Sequence, residues 1–366
     1  MSGRAGDLGG RRLSRRRFLS GAASLGAALT LASCAGGPAP EAAGQLNIYS
    51  WPDYIDPRII PEFERRYGIK VVYDTVSSNE GLLAKFQAGA SNYDIVVPSG
   101  YMVRQLTKMG LLLPLDRERL PNFRHICERF RSAPFDPDCR YSVPYTFGTT
   151  GIAYSRSAFR RLGAAEPDDW DVFWDKRLSG RITLLDDPRE TLGMAVKRRG
   201  HSYNTVDPGA LGQALADLIE QKPLTMCYTS DQVIVYLASG DSLLSLSFSG
   251  DAHQATRTNA DVNYIIPSSG ASMWVDNLCV PASAPHKDSA YRWLNYMLEP
   301  EVAAANANYT WYATPVAAAA RFLSAELLSN KSLYPPPAVL DRCEEMADLG
   351  SAIFLYDRLW TELKCA

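Results

Sequence analysis

At 366 residues the chain is longer than one ordinary hydrophobic core fills, so two lobes are the expected arrangement. Its formal net charge of −2 includes an opening stretch of 33 residues with six arginines against one acid, which leaves −7 for the remainder. Such acidity argues against a nucleic-acid partner, which needs a basic face, and mildly favours a cationic ligand.

Ser14-Arg15-Arg16-Arg17-Phe18-Leu19 sets a twin arginine before an apolar run, Leu19 to Leu31. That run is too short and too rich in Ala and Gly for a good membrane span, so 1–33 reads as a twin-arginine export signal. It closes on Leu31-Ala32-Ser33-Cys34, which resembles a bacterial lipoprotein box. Cys34 would then be the lipidated first residue, anchoring a periplasmic protein to the membrane; a plain signal peptide cut nearby is the alternative. A flexible tether fills 34–44 around Pro38-Ala39-Pro40-Glu41-Ala42-Ala43. The other cysteines, Cys127, Cys139, Cys227, Cys279, Cys343 and Cys365, show no metal-site spacing. Cys127 with Cys139 is the first disulfide pair to try, and scattered buried thiols account for them equally well.

The first strand runs through Leu46-Asn47-Ile48-Tyr49-Ser50 and stops at Trp51-Pro52-Asp53-Tyr54. A helix over 57–67, a strand over 69–76, a helix over 79–88, a strand over 94–97 and a helix through Leu106 follow. Strand and helix alternate at βαβ spacing, which predicts a parallel sheet. Tyr141 to Tyr154 is long and extended, with Gly148 and Gly151 near its middle, as expected of a crossing between lobes. A second unit holds a strand over 181–185, helices over 188–199, 208–220 and 230–238, and a strand over 242–248. Ser272 to Pro281 reads as the return crossing, helices rich in Ala and Leu finish the chain, and Pro335 to Pro337 is a short connector. The expected lobes are 45–147 with 276–320, and 148–275 with 321–366.

Acids and aromatics recur at the predicted strand ends: Trp51, Asp53 and Tyr54; Ser99 and Tyr101; Asp187 and Glu190; Phe248 and Asp251; Trp274 and Asp276; and Tyr312. In open α/β sheets the strand ends meet at one crevice, and rings with carboxylates suit an organic cation. Each residue also has an ordinary reading. Asp187-Pro188-Arg189-Glu190 fits a capping box, Ser99 an N-cap, Tyr101 and Phe248 core rings, and Asp251 a turn acid. Capping leaves lone pairs on both carboxylates, so the two roles can coexist. Trp274 and Asp276 are two apart on a strand and share a face.

The motifs Tyr49 to Tyr54, Tyr93 to Tyr101, Leu184 to Glu190, Trp274 to Asp276 and Tyr312 to Pro315 together resemble the spermidine/putrescine-binding proteins of bacterial ABC importers, from about Leu46 to the C-terminus. The resemblance implies an α/β, two-lobed periplasmic binding protein-like fold of type II, with the ligand cleft between lobes. It implies ligand contacts from Trp51, Asp53, Tyr54, Ser99, Tyr101, Asp187, Glu190, Ser230, Phe248, Asp251, Trp274, Asp276 and Tyr312. It further implies a polyamine ligand, an ABC permease in the inner membrane as partner, no cofactor, no metal and no catalysis; the expected state is a monomer. Phe248 stands where a Trp is typical, Asp251 matches the putrescine-preferring branch, and a late Gln of the spermidine branch falls near Glu345 or Met346. Iron or another amine as cargo, and an exported hydrolase using paired carboxylates, remain as alternatives; His125, His201, His253 and His286 lie in no motif.

Overall fold

The computed structural model describes residues 44–89 and 92–366. The export signal, Cys34 and the tether up to residue 43 lie outside the described residues; Gly44, expected in the tether, already begins a strand. The strands are β1 (Gly44–Ser50), β2 (Ile69–Thr75), β3 (Ile95–Val96), β4 (Ser142–Ser155), β5 (Ile182–Leu184), β6 (Thr225–Tyr228), β7 (Leu244–Phe248), β8 (Val262–Ile265), β9 (Ser272–Cys279) and β10 (Glu344–Glu345). They form one sheet in the order β2-β1-β3-β9-β4-β7-β5-β6, with β8 added on β4 and β10 on β9.

The expected parallel sheet is present at both ends, where β1 runs parallel to β2 and β3, and β5 parallel to β6 and β7. It is corrected in the middle, where β9 is antiparallel to β3 and β4, and β4 is antiparallel to β7 and β8. Two strands that cross between lobes in opposite directions must pair this way, which is why the βαβ rule fails there. Pro144 lies in the β4–β9 ladder next to a register shift, where its missing N–H costs no regular hydrogen bond.

Alternation along the first strands feeds two faces. Leu46 and Ile48 enter one apolar cluster with Phe63, Val97 and Trp293, while Tyr49 and Val96 enter another with Leu82, Phe86 and Leu106. Gly68, at φ 65, ends the helix Ile59–Tyr67 in the left-handed region and delivers the chain straight into β2. The second lobe has its own core around Ile152, Tyr154, Trp170, Leu184, Leu192 and Leu246. Leu323 and Tyr334 pack against the first core, and Ile353 to Leu363 belong to the second, so the chain changes sides around β10. This third crossing is tied to the first lobe by Lys108–Asp348 and to the second by Lys197–Glu344.

Cys127 and Cys139 are free thiols, as are the other four described cysteines; the Cys139 thiol is turned to the Phe130 and Arg131 carbonyls instead. No helix among the described residues is long and apolar enough to cross a membrane.

Candidate ligand cleft

Pro52 ends β1, and the turn that follows holds Asp53 at φ 53, a conformation Asp tolerates better than most residues. The turn leaves Asp53 exposed and Trp51 half-buried, and swings Tyr54 inward. The Tyr54 hydroxyl donates to Asp276 Oδ2 at 2.5 Å and accepts from Thr146 at 2.8 Å. Ser99 donates to the other Asp276 oxygen at 2.6 Å. Ser99 does occupy the N-cap position of the helix Gly100–Lys108, but its side chain makes no capping bond. Burial pushes the Asp276 carboxyl up to about 6 against these two donors.

Asp187 caps the helix Pro188–Arg198 through one oxygen, which accepts from the Arg189 and Glu190 amides at 2.8 and 3.0 Å. The other oxygen has no such duty, so the capping and ligand readings are compatible. Glu190 is buried and accepts from Thr150 on β4 at 2.9 Å and from Ser272 on β9 at 2.8 Å. Burial, and secondarily the neighbouring Asp187 charge, raises the Glu190 carboxyl; burial does the same to Asp187. Arg189 lies between them in sequence but spends its guanidinium on the Ala347 carbonyl and Asn204.

Asp251, in the first turn of the helix Ser249–Thr256, accepts the Tyr312 phenol. Burial raises its carboxyl to about 7, and the charge of Asp53 adds to the rise. A file of rings links Asp251 to Asp276. Phe248 meets Trp274 edge-on at 5.8 Å, Trp274 meets Tyr312 at 5.5 Å, and Tyr312 meets Tyr54 at 5.1 Å. Gly148 and Gly250 make the file possible, since a Cβ on either would run into the Trp274 or Tyr312 ring.

Thus Asp53, Tyr54, Ser99, Phe248, Asp251, Trp274, Asp276 and Tyr312 are joined by contact or by field, while Asp187 and Glu190 form a second group, held to β4 and β9 through Thr150 and Ser272 and reaching Tyr101 through the Asp187 charge. Tyr101 stands at the edge, buried and donating to Glu80 at 3.0 Å. Ser230 follows β6 and makes no side-chain hydrogen bond to the others, and Trp51 packs on both first-lobe clusters. Met346 packs in the cluster that holds Tyr101, while burial lifts the Glu345 carboxyl to about 7. Among the described residues none of Asp53, Asp187, Glu190, Asp251 and Asp276 is in an ion pair, and no group of three or more His, Cys, Asp or Glu side chains is placed to hold a metal ion.

Residues 58–334 match the family of bacterial extracellular solute-binding proteins. This chain belongs to that family. The solute-binding protein is 36% identical to the putrescine-binding periplasmic protein PotF of Escherichia coli K12, over 87% of this chain and 91% of that one. It is 33% identical to the spermidine/putrescine-binding periplasmic protein of Salmonella typhimurium, with the same coverage. A solved structure of the spermidine/putrescine ABC transporter substrate-binding protein PotD from Streptococcus pneumoniae superposes with a TM-score of 0.77 at 32% identity, covering 88% of this chain and 99% of that one. The family is one of transport binding proteins and not of enzymes, and the two-lobed fold is shared.

Sequence reasoning missed Thr146, Thr150 and Ser272, which hold the cleft tyrosine and glutamate. The signal was present. Ser272, Trp274 and Asp276 alternate on one face of β9, and Thr146, Gly148 and Thr150 on the matching face of β4, so the face that carries two ligand candidates also carries their supports. Asn79 and Glu80 were missed as well, because a helix start reads as a cap and nothing more.

Proposed function

We propose that this protein captures a polyamine, spermidine or putrescine, outside the cytoplasmic membrane and delivers it to an ABC permease. The observation that carries the reading is the set of candidate carboxylates that form no ion pair among the described residues, flanked by ring faces. Burying a carboxylate unpaired is costly, and ammonium groups at matching spacing relieve that cost while the methylene chain lies along the rings. Micromolar affinity is about −8 kcal/mol, within reach of a few charge-assisted hydrogen bonds and cation–π contacts. The relatives' names support the same class of ligand.

In this reading the ligand draws the lobes together, because both contribute contacts, and the movement is absorbed where Thr146 to Thr150 pairs with Ser272 to Asp276. The loaded form docks on the permease as a monomer held by lipidated Cys34. Ligand contacts are assigned to all thirteen residues named from the sequence, with Trp51, Tyr101 and Ser230 at the margins. Isothermal calorimetry of the chain from residue 35 onward, titrated with putrescine, cadaverine, spermidine, lysine and ferric citrate, tests the proposal. Micromolar or tighter binding of a polyamine alone is the expected result; heat from lysine or iron with none from any polyamine refutes it. Palmitate labelling in the producing cell, lost in Cys34→Ser, tests the anchor.

A further inference from the structure

We propose that Asn79 is a positioning residue of the cleft: it clamps Ser99 at two points and so turns the Ser99 hydroxyl onto Asp276. Asn79 Nδ2 donates to Ser99 Oγ at 3.0 Å, and Asn79 Oδ1 accepts from the Ser99 amide at 3.1 Å. The backbone N–H can only donate, so the amide oxygen must face it and the NH2 must face the hydroxyl. With its oxygen taken as an acceptor, Ser99 sends its own proton to Asp276 Oδ1 at 2.6 Å.

Two further facts fit this role. Ser99 stands at an N-cap yet leaves the cap unmade, against the usual preference of a serine there. Asn79, for its part, is buried and is excused from capping its own helix, because Ser78 accepts from the Gly81 amide at 3.0 Å. The start of the helix Asn79–Gln87 is thereby free to serve a residue twenty positions on. The titratable groups that face Asp276 are the phenols of Tyr54, Tyr145 and Tyr312, and no lysine, arginine or histidine pairs with it among the described residues. The two hydroxyl donors are therefore what favour its charged form, and the one from Ser99 depends on Asn79. Without the clamp, Ser99 turns back to cap its helix and Asp276 loses a donor.

The test needs no ligand. Carboxyl carbon-13 NMR follows the Asp276 titration in the wild type, Asn79→Ala, Ser99→Ala and the double variant. Asn79→Ala is expected to raise the midpoint by about one pH unit, the scale of one charge-assisted hydrogen bond. Ser99→Ala should match it, and the double variant should go no further, since both changes remove the same bond. A midpoint unmoved in Asn79→Ala, or two rises that add, overturns the proposal. Should Asn79→Ala not fold, Asn79→Ser serves instead, because it cannot span both Ser99 groups. A second arm rests on the polyamine reading. Spermidine affinity should fall about threefold at pH 6.5 and converge on wild type at pH 8.5, following the shifted titration. Equal losses at both pH values count against the positioning role. A wild type that binds no polyamine defeats the functional reading alone and leaves the NMR result to decide the other.

Discussion

The hydroxyl of Tyr312 donates to Asp251, and the two belong to different cores: Tyr312 packs in the first, and Asp251 heads a helix whose Ala252 and Ala255 pack in the second. Gly250 lets the ring approach that helix. Gly250→Ala is expected to displace Tyr312, lower Tm by about 3 °C and weaken polyamine binding about tenfold. Calorimetry beside a thermal melt checks this; wild-type affinity with an unchanged Tm would mean the ring has room to spare.

Asp276→Ala should lower polyamine affinity at least about tenfold, the scale of one lost charge-assisted contact. Its effect on folding is expected to be small, because the variant removes a buried charge as well as the two hydroxyls' acceptor. Melting within about 2 °C of wild type, together with weakened binding, is the predicted pair of results. Intact affinity removes Asp276 from the ligand set.

The pH dependence has a definite sign. Asp276 and Asp251 titrate at about 6 and about 7 in the folded protein against 3.8 for a free aspartate, and Glu190 and Asp187 move in the same direction. Between about pH 4 and pH 7 these four carboxyls therefore hold more protons in the folded protein than in the unfolded chain, while His253, which burial lowers from 6.5 to about 4, holds fewer and offsets part of the difference. The stability the four carboxyls contribute is complete below about pH 4 and is lost as pH rises through their folded values. Ligand-free Tm should accordingly fall from pH 5 to pH 8, and the Tm increase produced by a fixed spermidine concentration should grow over the same span. An increase larger at pH 5 than at pH 8 would contradict the sign.

Phe248→Trp restores the ring best suited to a cation, next to Trp274. Binding of a polyamine should tighten about two- to fivefold, since an indole outperforms a phenyl face by a fraction of a kcal/mol. For Trp51→Ala a loss of about tenfold is expected, and unchanged calorimetric affinity would exclude it from the clamp.

The grouping of Tyr54, Ser99, Phe248, Asp251, Trp274, Asp276 and Tyr312 could be read in the sequence because carboxylates and rings were concentrated where strands stop, and strand ends in this fold converge. Asp187 shows how one residue supports two readings at once, with one oxygen capping and the other free. Ser99 shows the limit: its place in the chain says cap, and only a long-range partner, Asn79, says otherwise. The antiparallel centre was hidden for the same reason. Local periodicity reveals that Tyr141 to Tyr154 is extended but not which neighbours it chooses. β6 and β8 were overlooked because they have four residues each; β6 is partly covered throughout and shows no alternation, and the alternation of β8 is too short to register. Apolar residues such as Leu323 and Tyr334 do not announce in the sequence which core they join.

β4 spends its first half beside β9 and its second beside β7 and β8, and all fourteen of its residues are buried. Each half of the molecule thus borrows a central strand from the same piece of backbone. Neither could be expressed as a fragment without a raw edge, and heating should melt the two together in one cooperative transition rather than in two steps.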